Sequence, residues 1–202
     1  QYQPRLPGEL GFYDLRIREI QRRQVELARA YGVSGFCFHY YWFNGRRLLE
    51  RPLNDYVADS SIDFPFCVCW ANESWTRRWD GMENDVLLEQ VHSEESDIEF
   101  IKSVEPLLRD PRYITIGKRP VLIVYRVQLF SDPSTTAQRW KTYCREVGLK
   151  EPFLVAAQTF GFTDPRTVGF DAAVEFPPHN IATEDISRSI QILNPGFEGR
   201  VS

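Results

Sequence analysis

The segment best suited to chemistry is residues 70–81, which read Trp-Ala-Asn-Glu-Ser-Trp-Thr-Arg-Arg-Trp-Asp-Gly. Tryptophan rings stack on the apolar faces of sugars, while arginine and carboxylate groups bind the hydroxyls at the ring edge. We therefore expect a carbohydrate to contact a set of polar and aromatic side chains in this segment: Trp70, Asn72, Trp75, Arg77, Arg78, Trp79 and Asp80. The alternative is a loop fastened by its own tryptophans, whose arginines and aspartate form a solvated ion pair.

Two glutamates are candidate catalytic carboxylates. Glu73 and Glu175 each stand at the end of an expected strand. An Asn-Glu pair at a strand end, such as Asn72-Glu73, is similar to the one in retaining glycosidases, where the glutamate is the general acid and the asparagine contacts a neighbouring hydroxyl. Carboxyl groups ~5–5.5 Å apart suit a retaining pair, and ~6.5–9.5 Å suits an inverting pair. The alternative for Glu73 is a structural ion pair with Arg77 or Arg78.

The three histidines are scattered and do not form a metal-ligand pattern. His39 lies within an expected strand, which favours a core histidine with its hydrogen bonds satisfied. His179 follows two prolines in a rigid loop and is a candidate substrate contact. We expect His92 on the surface, and we predict neither a metal nor a cofactor.

The hydrophobic pattern alternates between the period of a helix and unbroken apolar runs. The apolar residues that follow Asp14, a helix-capping residue, recur at helical spacing until Gly32 ends the run. Further helices are predicted at residues 47–58, 93–108 and 135–147, the second of them capped by Ser93. Buried parallel strands are predicted at residues 35–43, 64–71, 120–125, 153–158 and 170–176, with a minor strand at 113–116.

Helices and strands that alternate in this way build either a closed (β/α)8 barrel or an open doubly wound sheet. A doubly wound nucleotide-binding sheet places a Gly-x-Gly-x-x-Gly turn after a strand, and no expected strand here is followed by one. The expected strands end instead in side chains that suit the active-site face of a barrel: Tyr41, Trp42, Asn44, Tyr125, Gln158 and Glu175. We predict an α/β fold, a (β/α)8 TIM-type barrel that is incomplete, with about five barrel strands in one partial domain over residues 1–202.

Composition narrows the classes of partner. The chain has 202 residues, 43% of them hydrophobic and 26% charged, which suffices for a buried core. The formal net charge is −4 without a long run of either sign, so we predict no nucleic-acid partner. No run approaches the ~18 apolar residues of a membrane span, and no charged segment followed by an apolar one opens the sequence, so we expect neither a membrane span nor a retained signal peptide. Because the first residue is Gln1, we expect a fragment.

The four cysteines lack the Cys-x-x-Cys spacing of zinc and redox sites. Cys67 and Cys69 stand two apart in an apolar run, which predicts two small buried side chains on one face of a strand. Reduced thiols favour a reducing compartment, so we expect a cytoplasmic location, with a secreted form as the alternative.

Three segments carry a resemblance to a known family: residues 38–53, residues 70–81, and Asp110-Pro111-Arg112-Tyr113 with the following Arg119-Pro120-Val121-Leu122. They closely resemble the WbsX-type family, which is often labelled glycosyltransferase and is similar to the endo-α-mannosidase barrels of glycoside hydrolase family ninety-nine. The resemblance covers nearly the whole chain. It implies a carbohydrate-active barrel that acts on a bacterial surface polysaccharide of the O-antigen or lipopolysaccharide type.

Two family segments have no counterpart in this sequence. Members begin with a strand carrying a Leu-Pro-Gln-Phe-His-like stretch, and they carry a later Asn-Glu-Trp segment followed by a Glu-Pro element, which resembles the site of the essential glutamates of the related mannosidases. By this resemblance Glu73 and Glu175 become substrate-binding residues instead of the acid and base.

Function therefore stays between two classes. The first is an enzyme with an oligosaccharide or polysaccharide substrate, working by glycosidase-like carboxylate chemistry or by glycosyl transfer. The sequence lacks the Asp-x-Asp motif of metal-dependent transferases, which favours the glycosidase-like chemistry. The second class is a non-catalytic glycan-binding module that keeps the aromatic site without the chemistry.

Overall fold

The computed structural model describes residues 6–77 and 82–177, with the backbone alone for residues 82–84. The helices are α1 (Arg18–Ala30), α2 (Arg51–Ala58), α3 (Glu94–Leu108) and α4 (Pro133–Glu146). The strands are β1 (Phe36–Phe43), β2 (Arg46–Leu48), β3 (Phe66–Trp70), β4 (Trp75–Arg77), β5 (Met82–Leu88), β6 (Thr115–Ile116), β7 (Arg119–Val124), β8 (Phe153–Gln158) and β9 (Ala172–Glu175). Short 3-10 helices cover Val127–Leu129 and Pro165–Val168.

Five parallel strands form the main sheet in the order β1-β3-β7-β8-β9. This order follows the chain, as in a barrel, whereas a doubly wound sheet reverses direction part-way. The five strands confirm the predicted number, and over residues 6–77 and 82–177 they form an open sheet. β2 and β6 lie antiparallel on β1 and β7, and β4 pairs with β5 in a separate hairpin.

The sheet has two faces that the register identifies. His39 pairs with Cys69, Cys69 with Ile123, and Ile123 with Val155, so these residues share one face. We call it the inner face, because the helices pack on the other side. Cys67 and Cys69 are both buried there, which confirms the prediction from their spacing.

The residues that alternate with the inner face form the core against the helices. Trp70 stacks on Phe100 of α3 with 3.8 Å between ring centroids, and Trp140 of α4 lies 5.3 Å from Phe100. All three rings are fully buried. A buried aromatic side chain removes roughly 150–250 Å² from water, which at about 25 cal/mol per Å² stabilises the fold by about 4–6 kcal/mol. These rings therefore hold α3 and α4 on the sheet.

The predicted helix at 47–58 is wrong in its first turn. Asn44 and Gly45 have φ values of 46° and 87°, the left-handed pair that a two-residue hairpin turn requires. The chain therefore folds back as β2, and α2 begins only at Arg51. Pro52 lies in the first turn of α2, where its missing N–H leaves no helical hydrogen bond unmade.

The other helix ends mostly follow the sequence. Ser93 caps α3, accepting a hydrogen bond from the N–H of Ser96 at 3.2 Å, and Gly32 follows α1 at φ 78°. The prediction that Asp14 caps α1 is wrong, because α1 begins at Arg18 without a side-chain cap. Asp14 accepts hydrogen bonds from Arg16 instead.

Arg112 closes the carboxyl end of α2. Its guanidinium donates to four main-chain carbonyls at 2.8–3.3 Å, those of Tyr56, Val57, Asp59 and Ile62. It also pairs with Asp110 at 2.7 Å. A cation at this end of a helix satisfies carbonyls that lack partners in the helix and opposes the helix dipole. No helix in the part of the chain that the structure describes is long and apolar enough to cross a membrane.

Candidate functional site

A cavity of about 270 Å³ lies where the carboxyl ends of β1, β3 and β7 meet. Its lining combines aromatic rings with one carboxylate: His39, Tyr41, Ala71, Glu73, Trp75, Tyr125 and Phe176. The carboxyl ends of parallel strands form the active-site face of barrels. Four of the predicted site residues therefore meet in this cavity, namely Tyr41, Glu73, Trp75 and Tyr125.

The aromatic rings that line the cavity come from β1, from β4 and from the segments that follow β7 and β9. The Tyr41 ring contacts Trp75 edge to face at 5.5 Å and stacks on His39 at 5.9 Å. Phe176 lies 5.1 Å from Tyr125 and 6.1 Å from His39. Partial desolvation lowers the pKa of His39 below its usual 6.5, which favours the neutral imidazole. The prediction that His39 is a core residue is wrong, because its side chain lies exposed on the inner face.

Glu73 gives the cavity its charge. Its Oε2 accepts a hydrogen bond from the Arg126 guanidinium at 3.1 Å, with the two side chains 35% and 23% exposed. The guanidinium carbon also lies 4.0 Å from the centroid of the Phe160 ring. The pairing joins the ends of β3 and β7, so the partner of Glu73 is Arg126, whereas the sequence suggested Arg77 or Arg78. An anchored carboxylate beside aromatic faces suits a sugar, whose ring stacks while a hydroxyl donates to the carboxylate.

Trp42 and Trp70 are not at the site, which corrects two predicted substrate contacts. Their side chains lie on the helix side of the sheet and are 1% and 0% exposed. The Trp70 Nε1 donates to the main-chain oxygen of Trp42 at 3.2 Å, and both rings contact Phe100. Because successive side chains of a strand point to opposite faces, these two side chains point away from the face that carries Tyr41.

Asn72 and Asn44 are also structural, which corrects two more predictions. Asn72 is 0% exposed, and its side chain hydrogen bonds to the main chain of Arg126. Asn44 lies in the β1–β2 turn, where its Oδ1 accepts from the N–H of Val91 at 3.2 Å and its Nδ2 donates to the carbonyl of Glu89 at 3.2 Å. The side-chain amides of both residues are hydrogen bonded to main-chain atoms of another loop.

Gln158 and Arg77 do not line the cavity. Gln158 shares the face of Ala156, opposite to the inner face, and its Nε2 donates to the carbonyl of Thr163 at 3.2 Å. Arg77 forms an exposed ion pair with Asp85 at 3.4 Å on the β4–β5 hairpin. The predicted contacts Arg78, Trp79, Asp80 and His179 lie outside the described residues.

The structure does not place the two predicted carboxylates in one cavity. Glu175 pairs in register with Gln158, so it belongs to the opposite face from its neighbours Val174 and Phe176. Its side chain is exposed and does not line the cavity that holds Glu73. Within residues 6–77 and 82–177, the cavity therefore holds Glu73 but not Glu175, and these two carboxylates do not form the acid and base pair of a glycosidase.

Arg126, Phe176 and the position of His92, besides that of His39, escaped the sequence analysis. Phe176 lines the cavity and Arg126 anchors Glu73. The available signal for Arg126 was its position two residues after the end of β7, close to the strand end. His92, predicted at the surface, is half-buried between Trp70 and Phe130 and hydrogen bonds to Asn72. Among the residues for which positions are given, no group of histidine, cysteine and acidic side chains can hold a metal ion.

Comparison with known proteins decides the family. The family model described as "Glycosyltransferase WbsX" matches residues 1–196. The chain belongs to the WbsX glycosyltransferase family. This confirms the resemblance found in the sequence.

Curated relatives of this WbsX family member are much longer. "Uncharacterized protein WxcX" of Xanthomonas campestris pv. campestris strain B100 is 49% identical over 199 residues, as is its counterpart from strain ATCC 33913. The alignment covers 98% of this chain and 29% of each relative, so the chain spans less than a third of the length of the relatives it matches.

Solved structures show the fold. A "Glycoside hydrolase-like protein" superposes with a TM-score of 0.57 at 12% identity, covering 86% of this chain and 54% of its own. The GH99 endo-alpha-mannosidase from Bacteroides thetaiotaomicron superposes with a TM-score of 0.53 at 13% identity, covering 83% of this chain and 46% of its own. The WbsX family member therefore has the α/β fold of these proteins, and its open five-stranded sheet is part of a barrel.

Proposed function

We propose that this chain forms a sugar-binding part of an enzyme that makes or breaks glycosidic bonds in a bacterial surface polysaccharide. One observation carries the proposal: Glu73, anchored by Arg126, stands in a cavity walled by Tyr41, Trp75 and Tyr125. Membership of a glycosyltransferase family and the fold of glycoside hydrolases support a carbohydrate-active role. The O-antigen or lipopolysaccharide substrate is supported by the sequence resemblance.

The role of each residue follows from its position. The aromatic rings stack on the apolar face of a sugar and exclude water, while the free edge of the Glu73 carboxylate accepts hydrogen bonds from sugar hydroxyls. Arg126 holds that carboxylate in place at the cavity through the 3.1 Å contact. We propose Arg78, Trp79, Asp80 and His179 as further contacts on the basis of their residue types alone.

A non-catalytic glycan-binding role is the second candidate. The separation of Glu73 from Glu175 onto opposite faces favours it, because hydrolysis needs two carboxyl groups at one glycosidic bond. Aromatic and polar binding needs one face only. A cytoplasmic location is part of either proposal and is supported by the free thiols of all four cysteines.

The test uses the full-length protein with α-linked mannose and rhamnose oligosaccharides, with and without nucleotide sugars, analysed by mass spectrometry. Shortened glycans without a donor support hydrolysis, extension only with a donor supports transfer, and binding without turnover supports the binding module. Absence of both binding and turnover across the panel contradicts the carbohydrate role of the cavity.

A variant ties the result to the cavity. Trp75→Ala removes a stacking face, and since a ring–sugar stack resembles the base–ring stacks worth about 1–3 kcal/mol, we expect binding about 5- to 160-fold weaker. Phe12→Ala is the control, because Phe12 is 86% exposed and lies outside the cavity. Equal binding by Trp75→Ala and Phe12→Ala would place the sugar elsewhere.

A further inference from the structure

We propose that Asn72 is the positioning residue for the Glu73–Arg126 pair and makes no contact with the sugar. This inference rests on the proposed function, since it concerns the same cavity. It gives the asparagine of the Asn-Glu pair a different task from the hydroxyl contact that the sequence suggested.

The Asn72 side chain extends the pairing of β3 with β7. The last main-chain bond between these strand ends runs from the Tyr125 N–H to the Trp70 carbonyl at 3.0 Å. One step further, the Asn72 Oδ1 accepts from the Arg126 N–H at 2.8 Å, and its Nδ2 donates to the Arg126 carbonyl at 2.9 Å. The amide therefore takes the place of a peptide group in the ladder.

Only an amide of this length meets the requirement. An aspartate at position 72 accepts from the Arg126 N–H but cannot donate to the Arg126 carbonyl. A glutamine has the right groups one methylene too far away. The site thus specifies asparagine through its main-chain partners, with no need for a ligand.

The main chain of Asn72 is fastened as well. The His92 Nε2 donates to the Asn72 carbonyl at 3.1 Å, and the His92 ring packs edge to face on Trp70 and Phe130. The His92 Nδ1 is buried and has no hydrogen-bond partner among the described residues, which puts the single ring proton on Nε2. The side-chain amide and the main-chain carbonyl of Asn72 are therefore both held by hydrogen bonds.

This double attachment sets the geometry of the charged pair. Glu73 is the next residue after Asn72, and Arg126 is the residue whose main chain the Asn72 amide holds. The 3.1 Å contact between the Glu73 and Arg126 side chains therefore joins two residues whose main-chain positions are set by Asn72. Loss of the amide removes the hydrogen bonds that join Arg126 to the end of β3 and leaves the Arg126 carbonyl the bond from the Leu129 N–H of its own loop. The Glu73 carboxylate then loses its aim.

A double-mutant cycle tests the inference in the full-length protein, with α-linked mannose oligosaccharides as the probe. We expect Asn72→Ala and Glu73→Gln each to weaken binding about tenfold, and the double variant to bind no more weakly than the poorer single variant. Residues that act through one another are non-additive in this way. A double variant weakened by the product of the two factors, about 100-fold, overturns the inference, since a direct sugar contact or a general structural defect is additive.

A second readout is independent of any sugar. Phenylglyoxal labels exposed guanidinium groups, and peptide mass spectrometry gives the labelling rate at Arg126, whose side chain is 23% exposed. We expect Asn72→Ala to raise that rate about threefold or more and Asn72→Asp, which keeps one hydrogen bond, to raise it less. Gln128→Ala is the matched control, because the Gln128 Nε2 also donates to a strand-end carbonyl, that of Thr159 at 2.7 Å.

Glycan binding and arginine labelling together distinguish a failure of the positioning role from a failure of the proposed function. An unchanged labelling rate in Asn72→Ala, or an equal rise in Gln128→Ala, overturns the positioning role whatever the glycan result. If the unmodified protein binds none of the oligosaccharides, the proposed function fails, while a rise in labelling confined to the Asn72 variants still supports the positioning of Arg126.

Discussion

An Asp-x-Arg motif occurs three times in this chain, and we expect burial to decide how much each aspartate–arginine ion pair contributes to stability. In Asp14-Leu15-Arg16, Asp110-Pro111-Arg112 and Asp164-Pro165-Arg166, the arginine N–H and Nε both donate to the aspartate Oδ1 at 2.8–3.0 Å. The local geometry is the same. The Arg112 and Asp110 side chains are 13% and 9% exposed, whereas those of Arg166 and Asp164 are 86% and 37% exposed.

The magnitude follows from what each substitution leaves behind. Arg112→Met leaves the Asp110 carboxylate without its cation and also removes the donors to four carbonyls at the end of α2. Removing one partner of a buried ion pair costs about 3–5 kcal/mol. An exposed pair contributes about 0–1 kcal/mol, so Arg166→Met costs at most about 1 kcal/mol. We expect the two variants to differ by at least about 2 kcal/mol in the free energy of unfolding.

Urea denaturation of the full-length protein, followed by tryptophan fluorescence, measures both variants at pH 7. The hydrogen bond from Arg112 lowers the pKa of Asp110, so its stabilisation is present above the usual pKa near 3.8 and is lost as the pH falls through the lowered value. The difference between the variants should therefore shrink in acid. Equal destabilisation by Arg112→Met and Arg166→Met at pH 7 would refute the argument from burial.

Two further predictions concern pH and backbone conformation. Burial lowers the pKa of His92 below its usual 6.5, so below pH 6.5 the unfolded chain binds more protons than the folded one. The free energy of unfolding therefore falls as the pH drops towards the lowered pKa. We expect His92→Gln to flatten this part of a plot of unfolding free energy against pH, and an unchanged slope would contradict the prediction. Gly45→Ala places a side chain at φ 87° and should cost about 1–2 kcal/mol in urea denaturation. Gly8→Ala, where an added Cβ meets nothing within 4 Å, is the control and should cost nothing measurable.

The sequence predicted the parallel strands because each is an unbroken apolar run, and the same property hid which way their side chains point. In residues 36–43 every position except His39 is apolar or aromatic, so the alternation that marks a half-buried strand is missing. Tyr41 lines the cavity and Trp42 is buried in the core, although they are neighbours of similar type. Only the register with β3 and the position of α3 show that Trp42 faces the helices.

The candidate site was predictable in its location and only partly in its members. Strand ends gave Glu73, Trp75 and Tyr125, because carboxyl ends of parallel strands meet at one edge. The task of Asn72 was not predictable, since an asparagine after a strand serves a ligand or a neighbouring main chain equally well. That choice depends on which strand lies beside it, and β7 comes some fifty residues later in the chain.

The strand order of the main sheet has a consequence for how the chain folds as it is made. Each parallel strand after β1 pairs with the parallel strand synthesised just before it, from β1 through β3, β7 and β8 to β9. A new strand leaving the ribosome therefore finds its partner already present, and among the parallel strands of the described residues none waits for a later one to be inserted between it and its neighbour. Pairing with the preceding parallel strand keeps each closed loop shorter than pairing out of chain order would, which favours stepwise growth of the sheet from β1.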